Sequence, residues 1–172
     1  MTDKPDRYMS STSYAATLTR MEVAMVRTIM GFGRWTAACQ KSVCGAALGP
    51  EDVWLLHAIR MRGGPQNLSE LLLFLNRNDV STIQYSLKKI EQWGLIERAA
   101  GSTRREAGYR LTKKGMEATR DYAELREEML VRPVGGSVKR ETLEETAASL
   151  ETMTGLYDQA TQRVLNRTIM GL

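Results

Sequence analysis

The sequence predicts a mainly α-helical chain with one small β-hairpin near its middle. Three short helices precede the hairpin, and long helices enclose the whole. Three observations carry that prediction. Apolar residues recur at helical spacing over most of the 172 residues. The stretch GLIERAAGSTRREAGYRLT, residues 94–112, instead carries two short strand-like runs around a tip of small and polar residues. Gly, Pro, Asn and Thr fall where these elements must start and stop.

The first helix is expected from Tyr14 to about Val43. Leu18, Met21, Met25, Ile29 and Phe32 follow i, i+3, i+7, i+11, i+14 spacing, which sets them on one side. Gly31 and Gly33 are expected to bend it, because glycine costs stability in a helix interior. Their G-x-G is no nucleotide fingerprint, since no strand precedes it and the third glycine is missing. In GPEDVWLLHAIRMRGG a second helix starts at Pro50, with Glu51 and Asp52 at the positive end of its dipole, and stops at Gly63-Gly64. A third follows in NLSELLLFLNR, where Asn67 and Glu70 have capping-box spacing.

The fourth helix, in DVSTIQYSLKKIEQWG, groups Val80, Ile83, Leu87 and Ile90 on one face and ends at Gly94. Ser81, Thr82, Tyr85, Lys88, Lys89 and Gln92 project from the opposite face, which carries no acid. Strands follow at Leu95–Ala99 and Gly108–Leu111, joined by the tip AGSTRRE. Thr112 then caps a fifth helix with Ala118, Tyr122, Leu125 and Met129 as its buried stripe. The segment VRPVGGSV is expected to break the chain before a last long helix, Lys139–Arg167. There Leu143, Leu150, Tyr157 and Val164 recur every seven residues, with Met153 and Ala160 at companion positions, a heptad-like seam suited to a second copy of the chain or to its own body.

Charge points to a partner class. Residues 76–114 hold nine Lys/Arg against four Asp/Glu, whereas residues 115–172 hold seven against ten. A basic centre within a chain of net charge +4 attracts polyanions. No apolar run approaches the roughly 20 residues of a membrane helix, and the polar N-terminus does not read as a signal peptide. Two cysteines are too few for a disulfide scaffold, so a reducing cytoplasm is the expected setting, with no membrane partner. Cys39, Cys44 and the single His57 argue against a structural zinc site, and no metal or cofactor is expected. No P-loop, HExxH or GxSxG motif is present, so the chain reads as a non-enzyme.

Three short helices and a hairpin between long helices make the layout of a winged helix-turn-helix, with a helix sized for the major groove and a wing alongside it. From LGPEDVWLLHAI through LSELLLFL, DVSTIQYSLKKIEQWGLIER and YRLTKKG, the chain resembles the MarR family of bacterial transcription regulators. The resemblance covers roughly Leu48 to Gly115. It implies three regions: a dimerisation and linking helix over 1–47, a DNA-binding lobe over 48–114, and C-terminal dimerisation helices over 115–172. It implies a homodimer, most simply a repressor, reading half-sites about 10 base pairs apart on a pseudo-palindromic operator. Wings of the family carry an Asp-x-Arg or Asp-Arg-Arg signature; here Thr103 stands in place of the acid, with Arg104 and Arg105 retained.

Ser81, Thr82, Gln84 and Tyr85 are the expected base or phosphate contacts, Lys88 and Lys89 the phosphate contacts, and Arg104 and Arg105 the wing contacts. Arg98 and Arg110 flank the hairpin and read equally well as solvated strand positions. Leu18, Met21, Met25, Leu143, Leu150, Tyr157 and Val164 are the expected dimerisation positions. Relatives bind small aromatic or anionic effectors in a crevice beside the DNA-binding lobe, and Met30, Arg34, Trp35, Trp54 and Met61 are the candidates to line one; a methionine-rich core is the simpler reading of the same residues. Two other classes compete. A winged-helix module that binds protein is disfavoured by the acid-free helix face. A thiol-based redox sensor through Cys39 and Cys44 is disfavoured because no cation or histidine close in sequence would activate either thiol. His57, inside VWLLHAIRM, reads as a core or interface imidazole.

Overall fold

The computed structural model describes residues 12–99 and 108–169. Helix α1 runs Ser13–Cys44, α2 Pro50–Arg62, α3 Leu68–Phe74 and α4 Val80–Gln92. Strands β1 (Ile96–Ala99) and β2 (Gly108–Leu111) follow, then α5 (Lys113–Arg126), a π-helical turn at Glu127–Val131, α6 (Arg132–Gly135) and α7 (Arg140–Ile169). The chain forms two compact units, one reaching Leu125 and one starting at Arg126.

Local chemistry sets the boundaries of the first unit. The Thr12 hydroxyl accepts from Ala15 N–H at 3.1 Å to start α1, and Gly45 closes that helix in the left-handed conformation. α1 is helical throughout, including Gly31 and Gly33, and Gly33 is buried where Pro50 packs on it. The capping box of α3 is complete: Glu70 N–H donates to Asn67 Oδ1 at 3.0 Å, and Asn67 N–H donates to Glu70 Oε2 at 2.9 Å. Gly94, with φ of 69°, lets the chain leave α4 directly into β1. Thr112 caps α5 through a bond of 3.0 Å from Gly115 N–H.

α2 is the centre of the core. Val53, Leu55, Leu56, Ala58 and Ile59 are all buried, so the helix is enclosed on most of its circumference. Leu71 from α3, Ile83, Leu87 and Ile90 from α4, Leu95 and Ile96 at the hairpin root, and Ala118 and Tyr122 from α5 close around it. His57 sits in this layer, with its ring 4.2 Å from that of Tyr122. β1 and β2 pair antiparallel with Ile96 opposite Leu111 and Ala99 opposite Gly108. Gln66 adds a third, one-residue rung through two backbone bonds of 2.9 Å to Tyr109, which ties the wing to the loop before α3.

Two expectations about helix faces and one about a chain break need correcting. Val80 lies beyond the last layer of the core at the open end of α4 and is 43 % exposed. Met129 is exposed because it falls in the π-helical turn, whose wider backbone step shifts the phase of the stripe begun by Ala118 and Tyr122. The segment VRPVGGSV does not break at once: Arg132–Gly135 is helical, since proline is tolerated in a first helical turn, and the chain turns only after it. In the second unit α7 is a helix of 30 residues with Leu143, Leu150, Leu156 and Val164 exposed along it.

Candidate nucleic-acid interface and the adjoining cavity

The helix-turn-helix is α3, a five-residue turn and α4. Asn76 takes the left-handed conformation in that turn (φ 50°), which asparagine tolerates better than most residues. Arg77 then organises the approach to α4. Its Nε donates to Asp79 Oδ1 at 2.7 Å, and its Nη2 reaches Glu51 Oε2 on α2 at 3.3 Å. The hydrogen bond from Arg77 holds the Asp79 carboxyl well below the usual carboxylate range, and the same bond raises the guanidinium further.

On α4, Ile83, Ser86, Leu87 and Ile90 face the core, leaving Ser81, Thr82, Gln84, Tyr85 and Lys88 exposed. At about 100° per residue, Ser81, Tyr85, Lys88 and Gln92 form the centre of the open face, with Thr82 and Gln84 at its flanks. Tyr85 is 70 % exposed, an aromatic ring presented to solvent on a face whose other members are hydroxyls, amides and an ammonium group. Lys89, at the edge of that face by its angle, is turned inward. Its ammonium lies 2.7 Å from Oδ2 of the buried Asp52, an oxygen that also accepts the Gly49 N–H at 2.9 Å. Lys88 makes no ion pair among the described residues.

At the wing, Arg110 is engaged by Glu97 across the strand pair at 2.8 Å, while Arg98 lies over the Tyr109 ring with a long 3.8 Å contact to Glu91. Lys114 Nζ donates to the Trp93 carbonyl at 2.8 Å, holding the end of α4 to the start of α5. Thr103, Arg104 and Arg105 lie outside the described residues.

A cavity of about 710 Å³ opens beside α4. Ile29, Met30, Gly33, Arg34 and Ala37 of α1 form one wall, and Pro50, Glu51, Asp52 and Trp54 of α2 the second. Thr82, Tyr85, Ser86 and Lys89 of α4 form the third. Of the five expected lining residues the cavity gathers Met30, Arg34 and Trp54. Trp35 packs against the core instead, and Met61 is exposed near the far end of α2. The Trp54 ring stacks on Phe32 at 5.7 Å, and its buried indole N–H has no acceptor among the described residues. The wall from α4 was missed in the sequence, although Thr82, Tyr85, Ser86 and Lys89 share one strip of that helix by their spacing.

The remaining predicted positions are placed as follows. Leu18, Met21 and Met25 are half-buried, whereas Val23, Val26, Ile29 and Phe32 leave an exposed apolar strip on α1. On α7, Leu143, Leu150 and Val164 are exposed and Tyr157 is half-buried. Cys39 is buried, which pushes its thiol up from the ordinary value, and Cys44 receives a hydrogen bond from Gln40 Nε2 at 3.0 Å. No group of metal-ligating side chains occurs among the described residues, and none of the described helices is long and apolar enough to cross a membrane.

Comparison with known proteins agrees with this geometry. Residues 48–115 match the winged helix DNA-binding domain family. No curated protein matches the chain as a sequence. Among solved structures, a MarR/EmrR family transcriptional regulator from Acinetobacter sp. ADP1 superposes with a TM-score of 0.64 at 15 % identity, covering 81 % of this chain and 96 % of that one. The M. tuberculosis transcriptional regulator MosR, solved in complex with DNA, gives 0.59 at 17 % identity, over 78 % and 95 %. The S. aureus MepR–DNA complex gives 0.59 at 18 % identity, over 77 % and 94 %. The first two of these neighbours are described as transcriptional regulators. Residues 48–115 thus match a winged helix DNA-binding domain, on a chain that has the fold seen in the MarR/EmrR family transcriptional regulator.

Proposed function

We propose that the chain is a homodimeric repressor of the cytoplasm that reads a pseudo-palindromic operator and is released from it by a small effector. The observation that carries the reading is the open face of α4. Ser81, Thr82, Gln84, Tyr85 and Lys88 stand exposed together without an acid, beside a two-stranded wing and within a domain whose family binds DNA. Hydroxyls and amides of this kind read base edges or hold phosphates, and an ammonium group serves as a point charge for a phosphate. Arg104 and Arg105 extend the same reading to the wing tip. MosR and MepR have each been solved with DNA, which supports a DNA partner for this chain as well.

The apolar surface supports dimerisation. Val23, Val26, Ile29 and Phe32 on α1, and Leu143, Leu150, Leu156 and Val164 on α7, are too many exposed large side chains for a solitary chain to leave in water. The organisation then runs as a linking region over 1–47, a DNA-binding lobe over 48–114 and a dimerisation region over 115–172. The cavity between α1, α2 and α4 is the effector site of this reading. Its walls are mostly apolar, the Trp54 N–H lacks an acceptor, and Arg34 supplies a cation, a combination suited to a small aromatic anion. The deciding experiment is a footprint with stoichiometry on a duplex selected from a random-sequence pool. Two chains per duplex, protecting two major-groove segments one helical turn apart, are expected. One chain per duplex with no two-fold pattern would contradict the proposal.

A further inference from the structure

We propose that Asp52 and Glu51, adjacent in the first turn of α2, act with Lys89 and Arg77 as a two-point charge clamp that fixes the angle of α4, so that Lys89 is a positioning residue and not a phosphate contact. The inference rests on the DNA-binding reading and adds to it the residues that hold the reading helix in place.

The geometry is specific. Arg77 lies just before α4 and Lys89 in its last turn, with Val80 and Lys89 separated by roughly 14 Å of helix rise. From these two ends both side chains converge on consecutive carboxylates: Arg77 Nη2 on Glu51 at 3.3 Å and Lys89 Nζ on Asp52 at 2.7 Å. Buried apolar contacts from Ile83, Leu87 and Ile90 hold α4 against the core, but such contacts are non-directional and tolerate small rotations. Two ion pairs at opposite ends add directional restraints, since each has a short reach that a shift of its end of the helix would lengthen. Asp52 is itself immobilised: its side chain is 8 % exposed, and the Oδ2 that meets Lys89 also accepts the Gly49 N–H at 2.9 Å. The capping of α2 therefore sets where the Lys89 ammonium must sit. Acids in a first helical turn are explained in part by the helix dipole alone. The dipole does not explain why a lysine from another helix turns inward to reach one of them.

The test uses Lys89→Met, Lys89→Arg and Asp52→Asn, the last keeping an oxygen for the Gly49 N–H. Each is measured on the full chain with a duplex selected on the unaltered protein and with a random-sequence duplex. The clamp predicts that Lys89→Met and Asp52→Asn each weaken binding to the selected duplex about tenfold, the scale of one misplaced base contact. Binding to the random duplex and the salt slope should stay unchanged, the double variant should be no worse than either single, and Lys89→Arg should retain most of the affinity. A phosphate contact by Lys89 predicts the opposite pattern. Lys89→Met would lower the salt slope by about 0.9 on both duplexes, and Asp52→Asn would tighten binding by releasing the lysine. That pattern overturns the clamp. Amide hydrogen exchange across residues 80–92 of the free protein supplies a readout independent of DNA: Lys89→Met should speed exchange in the second half of α4, and unchanged exchange overturns the clamp. Failure of the unaltered chain to select any duplex would instead overturn the DNA-reading function, with exchange still deciding the clamp.

Discussion

Lys88 stands on the open face of α4 with no carboxylate engaging it among the described residues, so replacing it with alanine should cost DNA affinity and almost no stability. An exposed substitution of this kind changes folding free energy by no more than about 0.5 kcal/mol. The cost on DNA follows from counter-ion release. One phosphate contact contributes about 0.9 to the slope of log affinity against log salt, so over a fourfold rise in salt each contact accounts for about a 3.5-fold loss. Lys88→Ala should therefore flatten the salt dependence by about 0.9, and its disadvantage against the unaltered chain should shrink by about 3.5-fold between 50 and 200 mM salt. Adding Arg104→Ala and Arg105→Ala should bring the total flattening to about 2.7, or about 40-fold over the same range. Fluorescence anisotropy with a labelled duplex at four or so salt concentrations reads both quantities. A single variant whose slope equals that of the unaltered chain would refute Lys88 as a phosphate contact. A triple variant no flatter than the single would refute the wing assignment.

Four further outcomes follow from the same structure. A Cβ placed on Gly115 would come within 1.9 Å of the Leu95 carbonyl oxygen, so Gly115→Ala should destabilise the first unit by about 3 kcal/mol in chemical denaturation, and an unchanged midpoint would contradict the close approach of α5 to the hairpin root. Because Arg77 depresses the folded-state value of Asp79, the stabilisation it gives is complete above the ordinary carboxylate range and is lost as pH falls toward the lower folded value; Asp79→Asn should remove that part of the acid dependence in thermal melts, and an identical pH profile would count against the pair. Cys39 should resist alkylation at neutral pH in the native protein and react only after unfolding, because burial disfavours its thiolate; native labelling of Cys39, located by mass spectrometry, would revive a thiol-sensing role. Leu143→Glu together with Leu150→Glu should shift the proposed dimer to monomer in sedimentation, whereas an unchanged dimer would remove α7 from the interface.

Much of this was legible in the sequence because it depends on neighbours along the chain. The Asn67–Glu70 box, the stop at Gly94, the hairpin at 96–111 and the Thr112 cap are all decided within a few residues, and each appears where spacing put it. The departures share a different cause. Lys89 lies at the edge of the open face by periodicity, and only packing brings Asp52, 37 residues earlier, within reach to turn it inward. Met129 left its stripe because a π-helical turn changed the phase that the spacing rule assumes constant. Val80 kept the correct angle but had no core layer to meet at the end of its helix. The cavity wall on α4 was hidden for a related reason: one helix face was assigned wholly to DNA, whereas Thr82 and Tyr85 also border the space beside α1. Periodicity gives direction, and packing decides what lies in that direction.

The measurement that tests the central claim most directly is selection of sheared genomic DNA from the source organism on the purified chain, followed by sequencing of the retained fragments. The account predicts enrichment of a few fragments that share a near-palindrome with half-sites about 10 base pairs apart. Uniform retention that disappears with added salt would contradict it, since it would reduce the basic centre of the chain to a general attraction for polyanions.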